Sequence, residues 1–192
     1  VDETQLISQY NKESNSYDFT DNFRYVKKYI EEADYAITNL ETTLAGEEKV
    51  YSGYPIFNTP DSILDALKYA GFDGLTLSNN HIIDKGYEGF IRTAEQVKKS
   101  GMDMFGVKTS EQEKTYVIKD IKGVKFGISN YTLETVKKKG NRTINSLVIP
   151  SAALELFDRF NYNELDINYE AMKQRIETMK QEGAEVIVFA MH

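Results

Sequence analysis

The chain has 192 residues, 41% of them hydrophobic and 28% charged, and carries a formal charge of −7, the composition of a soluble globular domain. Its pI near 5.0 is opposite to the basic stripe that nucleic-acid binding leaves, so no nucleic-acid partner is expected. The absence of cysteine excludes disulfides, thiolate catalysis and cysteine-based zinc sites. No apolar run approaches the roughly 18 residues of a membrane span, and the opening VDETQLISQYNKESNSYDF lacks the pattern of a signal peptide.

After that polar, tyrosine-rich start, residues 19–33 show helical spacing, with Phe23, Val26, Tyr29 and Ile30 on one face. DYAITNL (34–40) reads as a short strand and is followed by a loop to about residue 58. NTPDSILDALKYAG (58–71) predicts a helix, with Thr59 as cap, Pro60 at the first helical position and Gly71 just past the end. Its stripe is Ile63, Leu64, Leu67 and Ala70. FDGLTLS (72–78) is a second strand and leads into NNHIID. Residues 85–101 predict a second amphipathic helix, with Tyr87, Ile91, Ala94 and Val97 on one side, and MDMFGV (102–107) a third strand. TYVIKDIKGVKFGISNY (115–131) reads as a hairpin turning at Lys122-Gly123. The lysine-rich run VKKKGNR (136–142) reads as a solvated loop within an irregular excursion or insertion over 132–165. A helix over 165–183, with Tyr169, Met172, Ile176 and Met179 aligned, feeds the strand AEVIVFAMH (184–192).

AGFDGLTL, SGMDMFGV and EGAEVIVFA repeat one joint: a helix-ending glycine, a short step to an acid, then an apolar run. Alternating strands and helices predict an α/β fold with a mainly parallel sheet covered on both faces. Ligands of such sheets sit beyond the carboxyl ends of the strands. Asn39, Glu41 and Thr42 end the first strand, Asn79, Asn80, His81 and Asp84 end the second, and His192 ends the last. Each also has a plainer reading. Glu41 could be a solvated loop acid, the asparagines left-handed turn residues, His81 a hydrogen-bonded loop histidine and Asp84 the cap of the next helix. Their gathering on one edge favours a site. Glu, Asn and neutral His suit divalent Mn, Fe, Zn or Mg, and a histidine beside a ligating asparagine could instead protonate a leaving oxygen.

ADYAITNLETTL (33–44), FNTPDSILDALKYAGFDGLTLSNNHIIDKGYEGFIRTAEQV (57–97) and VIVFAMH (186–192) together resemble the CapA (PgsA) poly-γ-glutamate capsule biosynthesis proteins, a branch of the calcineurin-like metallophosphoesterase fold. The resemblance implies a layered metallophosphoesterase-like sandwich forming one partial domain over 1–192. It also implies a divalent-metal phosphoesterase-like site with Glu41, Asn80 and His192 as ligands, His81 as catalytic partner and Asp84 as its support. The family's Gly-Asp strand and its later motifs have no counterpart in these residues. The remainder of the domain, or a second chain supplying it, is therefore expected as a partner, together with membrane synthase subunits. A location on the outer side of a bacterial membrane, anchored by a segment outside this chain, follows from the same resemblance. The alternative is a non-catalytic subunit that binds polymer or scaffolds a synthase.

Overall fold

The computed structural model describes every residue except Lys139. In chain order the elements are α1 (Glu3–Ser8), β1 (Tyr10–Asn11), β2 (Ser16–Tyr17), α2 (Lys27–Ile30), β3 (Ile37–Asn39), α3 (Ser62–Ala70), β4 (Gly74–Thr76), α4 (Gly86–Ser100) and β5 (Asp103–Phe105). They continue with β6 (Val117–Ile121), β7 (Val124–Leu133), β8 (Thr135–Lys138), β9 (Asn141–Ile144), β10 (Leu147–Val148), β11 (Arg159–Phe160), α5 (Leu165–Gln181) and β12 (Val186–Met191). The fold is mixed α/β with parallel pairings, as the alternation of strand and helix predicts. β3, β4 and β5 form one sheet in that order. Asp103 N–H donates to Asp73 O and Leu77 N–H to Phe105 O, so β4 and β5 advance in the same direction, while Asp73 N–H ties β4 to Ala36 O beside β3. The chain divides into two compact units, Val1–Leu75 with His81–Asp103, and Thr76–Asn80 with Met104–His192.

In the first unit, the polar start folds locally. Asp2 and Gln5 form a reciprocal capping box on α1, and β1 pairs antiparallel with β2. The helix expected over 19–33 shrinks to a 3-10 turn at Thr20–Phe23 and the four residues of α2. Phe, Tyr and Val are weak helix formers and no side chain caps this segment. Val26 and Tyr29, expected on its buried face, are exposed. In α3 the whole expected stripe is buried and Gly71 closes the helix in the left-handed conformation. Thr59 does not cap it. Its hydroxyl bonds that of Thr42 at 2.8 Å, and Asp61, at the cap position, engages Arg92 instead. The buried face of α4 centres on Phe90, Thr93, Ala94 and Val97. Tyr87 is exposed, so the face is turned about one residue from the expected one.

The second unit is organised around β7. β12 runs parallel to it, pairing Val186–Met191 with Phe126–Tyr131. β6 runs antiparallel to its first half, ending at Val117↔Ile128. The far end is therefore open for β11, parallel at Thr132 and Leu133. Lys122 and Gly123 both take positive φ, 51° and 85°, which makes the two-residue hairpin turn predicted there. The region expected to be irregular forms an antiparallel sheet, β10-β9-β8, and residues read as a solvated loop lie in its strands, with Lys139 outside the described residues. Of the face expected on α5, Met179 is buried, packing with Tyr116 and Ala184 against Ile118, Ile187 and Phe189. Tyr169 is exposed.

Gly106 fixes a tight crossing. Its φ is +83°, and an added Cβ would lie 2.6 Å from both Asn130 Oδ1 and Ser78 Cβ and 2.7 Å from Asn130 O. Gly106→Ala is expected to cost about 3 kcal/mol or more, from left-handed strain plus overpacking against backbone. A urea-melt midpoint within error of the wild type would contradict that.

Candidate functional site

In the first unit the loop after β3 is held by three polar clamps. Asn58 accepts from Ala45 N–H at 2.7 Å and donates to Gly46 O at 2.8 Å and Val50 O at 3.1 Å. The hydroxyl of Thr93 accepts from Leu44 N–H at 2.8 Å. Arg92 grips Asp61 with both terminal nitrogens and also donates to Leu44 O. Thr42, Thr43, Leu44 and Ala45 are buried, while Glu41 stays exposed at the head of the loop, accepting from Asn39 Nδ2 at 3.0 Å. Glu41 and His81 both line a cleft of about 480 Å³ with Tyr54 and Phe57.

His81 is 6% exposed and stands 2.8 Å, Nδ1 to Oδ2, from Asp84. The same carboxylate oxygen accepts Phe57 N–H at 2.7 Å, and the Phe57 ring meets the imidazole edge-on with centroids 4.6 Å apart. Asp84 does not cap α4. Lys85 occupies the cap position without a side-chain bond. An ionised Asp84 can only accept, which places the imidazole hydrogen on Nδ1 and makes Nε2 the nitrogen that gains or gives up a proton. The other oxygen, Oδ1, is buried with no hydrogen-bond partner among the described residues.

In the second unit, Asn80 and His192 meet. Asn80 Oδ1 lies 2.8 Å from His192 Nε2, and since an amide oxygen can only accept, the imidazole donates. The position of His192 follows from strand pairing. Its N–H donates to Tyr131 O at 2.8 Å and its carbonyl accepts from Leu133 N–H at 3.0 Å. The turn carrying Asn80 is held through Ser78, whose N–H donates to Asn130 Oδ1 at 2.7 Å and whose hydroxyl donates to Asp158 O at 2.5 Å. Neither Asn79 nor Asn80 is among the residues with positive φ, so the left-handed turn reading fails for both. Asn79 is fully buried.

Two donors at right angles around one small octahedral divalent ion, each at about 2.1 Å, are separated by about 3 Å. Asn80 Oδ1 and His192 Nε2 match that spacing, and their oxygen and imidazole chemistry suits the ion. A cation between them would take the place of the shared hydrogen. Among the described residues no group of three or more His, Cys, Asp or Glu side chains could hold a metal ion, so the fit rests on this pair. A second cleft in the second unit, about 550 Å³, is rich in arginine, but its guanidiniums are engaged by carboxylates. Arg175 holds Asp158, Arg159 holds Glu134, and Arg142 spans Glu134 and Glu164.

Three contributors escaped the sequence reading. Phe57 and Tyr54 sit in what reads as featureless loop. Asn130 had a signal, a polar side chain in the middle of the apolar run FGISNY.

Burial pushes the Asp84 carboxyl above its usual range, although the Phe57 N–H and His81 both favour the ionised form. The unfolded chain then releases this proton at lower pH than the folded one, so this group makes stability fall as pH rises above about 4. Asp84→Asn is expected to remove that part of the decline. Urea midpoints of variant and wild type at pH 4 and pH 7 test it, and parallel pH dependences would refute it.

The chain matches a family described as bacterial capsule synthesis protein PGA_cap over residues 3–192. It is also 27% identical over 139 residues to the capsule biosynthesis protein CapA of Bacillus anthracis, a match covering 66% of this chain and 34% of that relative. The chain thus matches about a third of the relative's length. Matched along nearly its whole length, this chain belongs to the PGA_cap family of bacterial capsule synthesis proteins.

Proposed function

We propose that this chain serves capsule assembly at the bacterial cell surface, and that its chemistry is divalent-metal-assisted hydrolysis of a phosphoester or transfer at an acyl phosphate. The observation that best supports this is the docking of two neighbouring residues, Asn80 on His192 and His81 on Asp84, each at 2.8 Å. In this reading Asn80 and His192 would hold a divalent Mn, Fe, Zn or Mg ion, and Glu41 keeps the ligand role that the family resemblance implies. Such an ion, when bound, polarises a phosphoryl oxygen and acidifies a water. His81 gives the proton on Nε2 to the leaving oxygen as its bond to phosphorus breaks, a water oxygen bonds in its place, and the proton that this water releases returns to Nε2. Asp84 holds the imidazole orientation. Phe57 excludes water from that pair on one side.

The cell-surface placement rests on the relative's role in capsule biosynthesis. Among the described residues no helix is long and apolar enough to cross a membrane. A membrane anchor outside residues 1–192, synthase subunits and the rest of the domain belong to the same proposal, on the family resemblance alone. A second reading, a non-catalytic subunit that binds or scaffolds capsule polymer, is favoured by the small ligand set and by Glu41, a longer carboxylate than the aspartate that the resembled family usually carries at that strand end. With a net charge of −7, binding a polyanion would require a cation or a basic patch between them.

Hydrolysis of p-nitrophenyl phosphate by the full-length protein with Mn²⁺ separates the readings. His81→Ala is expected to lower kcat by about 10²–10⁴, with Asn80→Ala raising the Mn²⁺ requirement. Unchanged activity in both variants would sink the catalytic reading. Retention of poly-γ-glutamate by a wild type that hydrolyses nothing is what the binding reading expects.

A further inference from the structure

We infer that Asn130 is the positioning residue for the Asn80–His192 pair, an inference that rests on the metal-binding reading of that pair. Its amide is buried, 2% exposed, in the middle of β7. Both ends of the amide are used. Oδ1 accepts Ser78 N–H at 2.7 Å, and Nδ2 donates to Ala190 O at 3.1 Å. Ser78 lies two residues before Asn80, and Ala190 lies two residues before His192. One side chain therefore grips the two segments that deliver the pair, from positions 112 apart in sequence.

The two bonds do different work. β4 has ended at Thr76, so the N–H of Ser78 enters the turn without a place in that ladder, and the Asn130 oxygen supplies the acceptor it needs. Ala190 stands directly opposite Asn130 in the parallel register. The Nδ2 bond to its carbonyl thus adds a side-chain tie to the strand pairing at that rung. Gly106 confines the amide, since its Cα side presses against Asn130 Oδ1 and Ser78 too closely to admit a Cβ. A side chain that supplies only an acceptor, or only a donor, would hold one segment and release the other. The arrangement matches what an outer residue behind metal ligands must do, which is to fix where the donor atoms stand before the ion arrives.

The test uses Mn²⁺ titration calorimetry together with ¹⁵N resonances of the imidazoles, which are assignable because the chain has two histidines, His81 and His192. Asn130→Ala is expected to weaken Mn²⁺ binding by roughly tenfold or more. It should also shift the ring resonances of His192 toward those seen in Asn80→Ala, leaving the His81 resonances in place. Asn130→Asp keeps the acceptor for Ser78 and loses the donor to Ala190, so it should recover part of the affinity. The inference is overturned if Asn80→Ala and His192→Ala abolish binding while Asn130→Ala binds within twofold of wild type with unmoved His192 resonances. A wild type that binds no Mn²⁺ rejects the metal reading alone. The His192 resonances then decide, their shift in Asn130→Ala supporting the positioning role and their coincidence with wild type rejecting it. Should Asn130→Ala not fold, Asn130→Asp carries the comparison, and wild-type affinity and resonances in that variant would reject the inference.

Discussion

Between β7 and β12 the register runs from Phe126↔Val186 to Tyr131↔Met191, and backbone bonds continue past the strand to His192. A parallel ladder fixes position along both strands at once, because a slip of one residue would turn every side chain to the opposite face. The backbone of His192 is thus located by six rungs of pairing and its own two backbone bonds, and its imidazole by the contact with Asn80. The contact of His192 with Asn80 depends on this. Asn130 occupies a rung of the same ladder and extends its control to the turn that bears Asn80. α5 supports the arrangement less than its length suggests, since its one buried residue is Met179. The sheet itself carries the precision.

The first unit solves a different problem. Asp84 has a carboxylate in a site that disfavours its charge, an arrangement that costs stability unless hydrogen bonds offset it. The Phe57 N–H and the His81 ring supply two such bonds to one oxygen, leaving the other buried and unpaired. Exceptions of this kind concentrate where proteins do chemistry, because a group held in an unfavourable state responds strongly to a proton or a ligand. The clamps on the preceding loop, Asn58, Thr93 and Arg92, keep the Phe57 region and Glu41 from relaxing away.

Much of this was legible in the chain. The strand–helix alternation, the glycine closing α3 and the Lys122-Gly123 turn are local signals with local causes. They appear where propensity and turn chemistry place them. So does the crowding of polar residues at strand ends, which located Asn80, His81 and His192. What escaped is non-local. Whether Asp84 caps a helix or holds a histidine depends on Phe57, 27 residues away. Residues 19–33 have a plausible helical stripe, but their aromatic side chains find cation partners at the surface, Arg24 over Tyr25 and Lys28 over Tyr29, and the helix stops after one turn. Asn130 looks like an interruption of a core strand until the Ser78 turn is brought beside it. Family resemblance implied roles for residues, but their contacts are not legible in the sequence.

The spread of the pairings along the chain also orders events in time. The β6–β7 hairpin closes through two residues and needs no distant partner, so it can form in microseconds. β12 must then be recruited from 60 residues beyond its place on β7, and the Asn80–His192 contact closes a span of 112. Loop-closure entropy rises with such separations, so closing the pair costs more chain entropy than closing the hairpin. β12 is bordered by β7 alone among the described residues, so it can leave the sheet without breaking another pairing. Amide hydrogen exchange should then show a ladder that opens on its own while the hairpin stays shut. Any ion held by the pair would act as a latch on that opening, coupling occupancy to the lifetime of the strand.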